Sequence, residues 1–163
     1  MQIKSDRPMD LVSNIEETIK QYENKIYRTA VAIVGSKADA EDIVQEVFVK
    51  LLQKQPQFES HAHMVAWLMR VTVNLCKNYL RSFWWKKTTP LLDTIPAQDV
   101  EQQDAMHAVL ALPAKYRMVI HLFYYEGYST KEIAEITEQK EATVRQLLTR
   151  ARRMLKNLLE GEY

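Results

Sequence analysis

The sequence predicts an all-α protein of two small helical domains joined by a flexible linker, the second domain holding a helix-turn-helix. Three observations predict it. Apolar residues recur at three- and four-residue steps along most of the chain. No run alternates apolar and polar residues for long enough to suggest a sheet. Glycine is scarce, and Gly35 and Gly127 each follow a periodic apolar run, where a helix needs a left-handed stop.

The first helix is expected over residues 11 to 34. Val12, Ile15, Ile19, Tyr22, Ile26, Ala30 and Ile33 form one apolar stripe along it. The second is expected over 37 to 54, with Ser36 as N-cap and Asp39 in the first turn, where a carboxylate suits the helix dipole. Its core face reads Ala40, Ile43, Val44, Val47, Leu51 and Leu52. Residues 55 to 63 read as a loop by composition, and a third helix is expected over 64 to 83. These elements make a first domain over 11–83.

Residues 84–98 break the periodicity with Pro90, Pro96, Lys86-Lys87 and Thr88-Thr89, and read as the linker. The second domain is expected over 99–160. It opens with a helix to about Ala111, then one that starts with Pro113 as its first residue and ends at Gly127. Ser129 and Glu132 have capping-box spacing, each side chain satisfying an orphan amide of the other, which starts a short helix to Thr137. A last helix follows from about Lys140 to Leu159.

Composition bounds the function classes. Hydrophobic residues at 47% and charged residues at 26% are those of a globular protein. No stretch approaches the roughly 20 apolar residues that span a bilayer. The start Met1-Gln-Ile-Lys-Ser-Asp-Arg-Pro8 lacks the apolar centre of a signal peptide, so the expected location is cytoplasmic. Cys76 is the only cysteine, so no intrachain disulfide is available. No glycine-rich phosphate loop, nucleophile elbow or catalytic carboxylate pair is present, and neither enzymatic activity, cofactor, metal nor small-molecule substrate is expected. His61, His63 and Cys76 make a weak metal-ligand set, and the seven methionines read as core filler.

Charge distribution says more than the net charge of +1. Acids outnumber bases from Asp10 to Glu59. From Ser60 to Leu92 there is no acid, while Arg70, Lys77, Arg81, Lys86 and Lys87 are present. Arg145, Arg150, Arg152, Arg153 and Lys156 crowd the last helix. Two separated basic patches point to two contacts with a polyanion; taken singly, each also reads as a solvated helix face.

The last two helices have helix-turn-helix spacing. Ile133 and Ile136 can pack on Val144, Leu147 and Leu148, and the small Ala134 permits a close crossing. The early part of the second of them offers Glu141, Thr143, Arg145, Gln146, Thr149 and Arg150. Arginine fits guanine and glutamine fits adenine in the major groove, while Arg152, Arg153 and Lys156 suit phosphates. In the first domain, Asp42, Gln45, Glu46 and Lys50 make a polar strip beside an apolar face. Asn74 interrupts an apolar helix two turns after Trp67. An amide and an aromatic surface are what a base taken out of its stack requires, although Trp67 also reads as core.

Leu112-Pro-Ala-Lys-Tyr-Arg117, Tyr125-Glu-Gly-Tyr-Ser-Thr-Lys-Glu-Ile-Ala134 and Ala142-Thr-Val-Arg-Gln-Leu-Leu-Thr-Arg-Ala-Arg152 are similar to the promoter −35-reading domain of the extracytoplasmic-function sigma factors. Asp39-Ala-Glu-Asp-Ile-Val-Gln-Glu-Val-Phe48 resembles the family's polymerase-docking helix. Phe58, Ala66-Trp-Leu-Met-Arg-Val-Thr-Val-Asn74 and Lys77-Asn-Tyr-Leu-Arg81 resemble its −10-reading loop and helix. The resemblance spans about Ile15 to Leu158 with its motifs in order.

The resemblance implies a factor that binds core RNA polymerase, directs it to promoters through −35 and −10 elements and promotes melting. It implies polymerase contacts at Asp39, Asp42, Gln45, Glu46, Phe48 and Lys50. It implies −10 contacts at Phe58, His61, His63, Trp67, Arg70, Asn74, Lys77 and Arg81. Its −35 contacts would be Glu141, Thr143, Arg145, Gln146, Thr149, Arg150 and Arg153. The implied partners are core RNA polymerase, promoter DNA and a separate anti-sigma factor, often membrane-anchored.

Two departures stand out. Glu138 and Gln139 occupy the turn where the family usually carries glycine and an apolar residue, and Lys140 stands where a capping Ser or Thr is common. Glutamate is a poor choice for positive φ, so a looser or differently shaped turn is the expectation. Two other readings compete. A stand-alone helix-turn-helix regulator explains the last third and would dimerise on palindromic DNA. A helical adaptor would bind protein only and show no salt-dependent DNA binding.

Overall fold

The computed structural model describes residues 15–86 and 107–161, and every regular element among them is helical. Helices α1 (Ile15–Val34), α2 (Lys37–Lys54) and α3 (His61–Lys86) make the first half. The second half has a short helix α4 at 107–111, then α5 (Ala114–Ile120), which runs into a π-helical turn over His121–Tyr125. Helices α6 (Thr130–Thr137) and α7 (Glu141–Leu159) follow. The expected start of α1 at 11–14, most of the expected linker (87–98) and the first part of the helix expected from Asp99 lie outside the described residues.

Local chemistry sets the boundaries. Gly35 ends α1 at φ 75, and its N–H reaches the Val31 carbonyl at 2.8 Å. Ser36 caps α2 by accepting from the Asp39 N–H at 3.4 Å. Helix α3 begins three residues earlier than its apolar pattern suggests. The Ser60 hydroxyl accepts from the His63 N–H at 3.1 Å and the Ser60 carbonyl accepts from Met64 at 3.1 Å, so His61 and His63 form the first turn. The same helix continues through Lys86, three residues into the stretch expected as linker. Pro113 sits one place before α5, at φ −54 and ψ 147, as its cap and not its first residue.

The π-helical turn had no signal in the pattern. The Glu126 N–H bonds to the His121 carbonyl at 3.0 Å, five residues back, and the Tyr128 N–H reaches Leu122 at 3.0 Å. The extra residue lets His121 and Leu122 both point inward. The Ser129–Glu132 capping box forms as expected, with bonds of 3.1 and 3.0 Å.

One apolar core runs through both halves. Ile26, Ile33, Leu51, Leu68, Leu122, Ile133 and Leu148 are all but fully buried in it. Each such side chain contributes about 1.5–3 kcal/mol relative to exposure. Helix α1 packs on α2 and α3 but also on α5, and α3 packs on α6. The two halves therefore meet face to face. Leu52 departs from the expected core: it is 49% exposed, because adjacent Leu51 already takes the inward direction and the next residue lies about 100° around the helix.

Candidate polymerase and nucleic-acid interfaces

On α2, Asp42, Gln45 and Glu46 are exposed as a strip, with Lys50 half-buried beside them. Val49 and Leu52 are 46% and 49% exposed, so the strip has an apolar partner that the sequence pattern did not single out. Asp39 and Phe48 behave differently from the expected contact residues. Asp39 accepts a short hydrogen bond from the Tyr79 hydroxyl of α3. Burial first, and this bond second, push the Tyr79 phenol up to about 12. Phe48 is buried, so it supports the strip from within.

On α3, Trp67, Arg70, Asn74, Lys77 and Arg81 fall at three- and four-residue steps and share one stripe. Arg70 and Arg81 are exposed, and Trp67 and Asn74 are half-buried. Phe58, expected among the base contacts, is only 4% exposed, and its ring packs edge-on against Trp67 at 5.8 Å. His63 sets its ring edge-on to Phe58 at 5.4 Å, and its Nδ1 accepts from the Glu59 N–H at 3.2 Å. His61 is exposed and shares a 2.9 Å hydrogen bond through Nδ1 with the Tyr22 hydroxyl of α1. The two histidines thus lie at the start of α3, near the aromatic pair.

Lys77 is engaged elsewhere. Its ammonium donates to the Thr137 carbonyl at 2.7 Å, across to the end of α6. Burial lowers its pKa from the ordinary value, the Glu138 carboxylate acts in the opposite sense, and Arg81 adds to the lowering. Next to it, Cys76 is fully buried, and burial pushes its thiol up to about 12, so it is not a reactive group.

The helix-turn-helix turn takes a regular left-handed form without glycine. Glu138 sits at φ 56 and ψ 43, and the Gln139 N–H bonds to the Ala134 carbonyl at 3.0 Å. The buried Thr137 hydroxyl bonds to the Ile133 carbonyl at 2.7 Å and contacts Gln139 Oε1 at 3.2 Å. The turn is therefore not loosened by glutamate, although the conformation costs about 1–2 kcal/mol for a residue with a Cβ.

Helix α7 presents Arg145, Gln146, Thr149, Arg150 and Arg153 to solvent, and Thr143 is half-buried. Lys140 supplies no side-chain cap. Glu141 works in that region instead: its Oε1 accepts from the Thr130 hydroxyl at 2.9 Å and from Arg145 Nη2 at 2.7 Å. The Thr149 hydroxyl turns back to the Arg145 carbonyl at 2.9 Å. Arg152, expected at phosphate, donates from Nε to the Tyr124 hydroxyl at 2.6 Å and lies 5.6 Å from the Phe123 and Tyr124 ring centroids. Tyr124 and Tyr125 are 56% and 73% exposed, a surface feature with no signal in the helical periodicity.

Residues 18–86 match the family described as sigma-70 region 2, and residues 102–155 that described as sigma-70, region 4. The chain is 29% identical over 156 residues to the ECF RNA polymerase sigma factor SigM of Bacillus subtilis, covering 88% of this chain and 94% of that one. The chain belongs to the extracytoplasmic-function sigma factors of the sigma-70 family. A protein of Xanthomonas campestris named "Probable RNA polymerase sigma factor RfaY" is 30% identical over 155 residues, 84% of this sigma factor but only 38% of that protein's length. The fold is shared with the sigma factor RpoE of Bartonella quintana, solved in complex with the anti-sigma factor NepR. That comparison gives a TM-score of 0.79 at 24% identity, over 93% of this chain and 99% of that one. Among the described residues no helix is long and apolar enough to cross a membrane, and no three His, Cys, Asp or Glu side chains are grouped to hold a metal ion.

Proposed function

We propose that this sigma factor binds core RNA polymerase through the α2 strip, directs it to promoters through −35 and −10 elements, and helps open the −10 region. The observation that carries the reading is the exposure of Arg145, Gln146 and Arg150 on one face of a helix seated by a capped helix-turn-helix. That face has the side chains and the rigid backing that major-groove reading requires. Arg153 lies one turn beyond Thr149, where a cation suits phosphate.

The α2 strip of Asp42, Gln45 and Glu46, bordered by Val49 and Leu52, supports polymerase docking. A surface of carboxylates around exposed aliphatic side chains fits a partner with basic and apolar groups side by side. Asn74 and Trp67, with Arg70 and Arg81 on the same stripe, support contact with an unpaired −10 strand: the amide and ring for the base, the cations for phosphates. Phe58 and His63 hold the Trp67 end of that surface in place. The Bartonella relative is paired with an anti-sigma factor, which supports a separate anti-sigma partner here.

The deciding experiment is transcription in vitro with core polymerase on a genomic fragment library, followed by mapping of start sites. Transcripts that begin at a common promoter class only when this chain is added are the expected result. Equal initiation with and without the chain overturns the reading. Palindromic operator binding by a dimer without polymerase would replace it with a stand-alone regulator.

A further inference from the structure

Helix α3 opens on a cap that uses an imidazole where a carboxylate is usual. Ser60 stands at the cap position, and its hydroxyl accepts from the His63 N–H at 3.1 Å. In a capping box the third residue of the helix answers with a Glu or Gln side chain that accepts the backbone N–H of the cap. Here that third residue is His63, and its Nδ1 accepts from the N–H of Glu59 at 3.2 Å, one place before the cap. Ser129 and Glu132 at α6 show the carboxylate form in the same chain, with bonds of 3.1 and 3.0 Å.

A backbone N–H only donates, so this bond fixes the ring: Nδ1 is free of a proton and Nε2 carries one. The ring also packs edge-on with Phe58 at 5.4 Å, and Phe58 meets Trp67 at 5.8 Å. One side chain thus holds the loop twice, by the backbone at Glu59 and by the ring of Phe58.

We propose that neutral His63 is the positioning residue of the loop ahead of α3: it fixes the backbone at Glu59 and seats Phe58 behind Trp67, and a proton on its Nδ1 releases both. The link to DNA rests on the function proposed above, in which Trp67 belongs to the strand-reading surface.

The choice of acceptor makes the cap sensitive to protons. A carboxylate at this place would keep accepting at neutral and mildly acid pH. An imidazole changes charge between about pH 5 and 8, and its charged form has a donor on each nitrogen. The Nδ1–H would then face the Glu59 N–H, donor against donor. The first turn of α3 holds no acid to favour the charge, and its amides present the positive end of the helix dipole.

His61, two residues earlier, has a different kind of partner. Its Nδ1 lies 2.9 Å from the Tyr22 hydroxyl of α1. A hydroxyl both donates and accepts, so Tyr22 can donate to the neutral ring and accept from the charged one. Burial raises the pKa of Tyr22, with Lys25 pulling the other way, so the hydroxyl keeps its proton at neutral pH. The titratable groups tied to this turn are Glu59, His61, His63 and Tyr22. Of the two histidines, His63 is the one whose Nδ1 meets a donor that cannot reverse its role.

The test uses the full chain, free and assembled with core polymerase. His63→Asn puts an amide oxygen near the place of Nδ1, where it accepts at any pH. His63→Ala removes acceptor and ring together, and His61→Asn serves as control. Both positions are exposed, so the core is untouched.

Ring nitrogen shifts of the free chain should show His63 protonated at Nε2 at pH 7.5. Between pH 7.5 and 5.5 the Glu59 amide and Trp67 indole signals should move together with the His63 ring. They should do so in the parent and in His61→Asn, and not in His63→Asn. In the assembled holoenzyme, affinity for a single strand carrying the mapped −10 sequence should fall with pH in the parent relative to His63→Asn. The fall should be about two- to tenfold, as the loss of one ordinary hydrogen bond implies. The ratio cancels the charge that His61 gains and any response of core polymerase to pH. His63→Ala should bind the strand weakly at both pH values, and the same ratio for a −35 duplex should stay level.

A proton on Nδ1 at pH 7.5, or a Glu59 amide that ignores the His63 titration, overturns the cap. A strand-affinity ratio that stays level from pH 7.5 to 5.5 overturns the positioning role. If His63→Asn does not fold, His63→Ala carries the comparison, since it too has nothing to titrate at this place. Where the transcription assay finds no promoter, the proposed function falls by itself, and the ring, amide and indole signals still decide the cap.

Discussion

Arg117 supplies the cation that α1 lacks at its own C-terminus. Helix α1 has no basic residue in its last turn, and the guanidinium of α5 donates to its Ala32 carbonyl at 3.0 Å and to its Ile33 carbonyl. The same group bonds to the carbonyls of Leu112 at 2.9 Å and Leu110 at 3.3 Å, so one side chain holds the end of α1 and the entry to α5 together. A cation at this place also complements the negative end of the helix dipole.

Replacing Arg117 with Met should therefore leave four carbonyls without this donor. The expected loss is about 1.5–3 kcal/mol, the range for hydrogen bonds made by a charged group. Arg117→Lys should recover only part of it, because an ammonium does not reproduce the planar fork. Urea unfolding followed by circular dichroism measures this; a change below about 1 kcal/mol in the Met variant would place the Arg117 contacts among weak surface contacts.

His121 makes the stability of the chain depend on pH. Burial lowers its pKa below the ordinary 6.5, with Glu126 pulling the other way and Arg28 and Lys25 adding to the lowering. The folded form thus disfavours the imidazolium that the unfolded chain accepts. Its contribution is present above about pH 6.5 and is lost as pH falls through the lower folded value. Thermal unfolding at pH 7.5 and 5.5 should show a larger drop for the parent than for His121→Asn. Equal drops would remove His121 from the cause.

Much of this architecture was legible along the chain, and the reason is that the legible parts are local. Ser36 caps α2, Gly35 stops α1, and Ser129 with Glu132 opens α6, all through contacts within four residues. The exposed face of α7 followed from period alone. What was not legible depends on partners far along the chain. Arg117 meets Ala32 across 85 positions, and Lys77 meets Thr137 across 60. Periodicity says that Lys77 lies on a stripe with Asn74, but not that another helix already covers it. Phe48 and Phe58 have the same limit: motif position marked them as contacts, while packing places both inside.

The docking strip gives a prediction that the sequence pattern alone would have made too narrow. Asp42→Lys with Glu46→Lys should weaken assembly with core polymerase, and Val49→Ser with Leu52→Ser should weaken it as well, since both aliphatic side chains are already exposed. Helicity should be unchanged in each. Co-purification with core at the parental yield for both pairs would remove α2 from the interface.

Glu141 should act on specificity more than on affinity. It holds Arg145 at 2.7 Å while Thr130 holds Glu141 at 2.9 Å, which fixes the direction of an otherwise exposed guanidinium. Glu141→Gln should relax discrimination at the base pair that Arg145 reads by about 1–2 kcal/mol, within the range of one base contact. The salt dependence of binding should change little, since no phosphate contact is lost. Binding to a panel of −35 duplexes with single substitutions checks this; a uniform loss across the panel would show that Glu141 supports folding of α7 and not the aim of Arg145.

In the proposed division of labour, α7 reads duplex and α3 reads opened strand. Permanganate reactivity of the −10 region, measured with core polymerase on one mapped promoter, tests it most directly when parent, Arg145→Ala and Asn74→Ala are compared at saturating and limiting protein. Arg145→Ala should reduce closed-complex binding by about 1–3 kcal/mol and recover full reactivity once saturated. Asn74→Ala should bind duplex like the parent and stay unreactive at saturation, with a pre-melted bubble giving only partial rescue. Normal opening by Asn74→Ala, or parental −35 duplex binding by Arg145→Ala, would contradict the account.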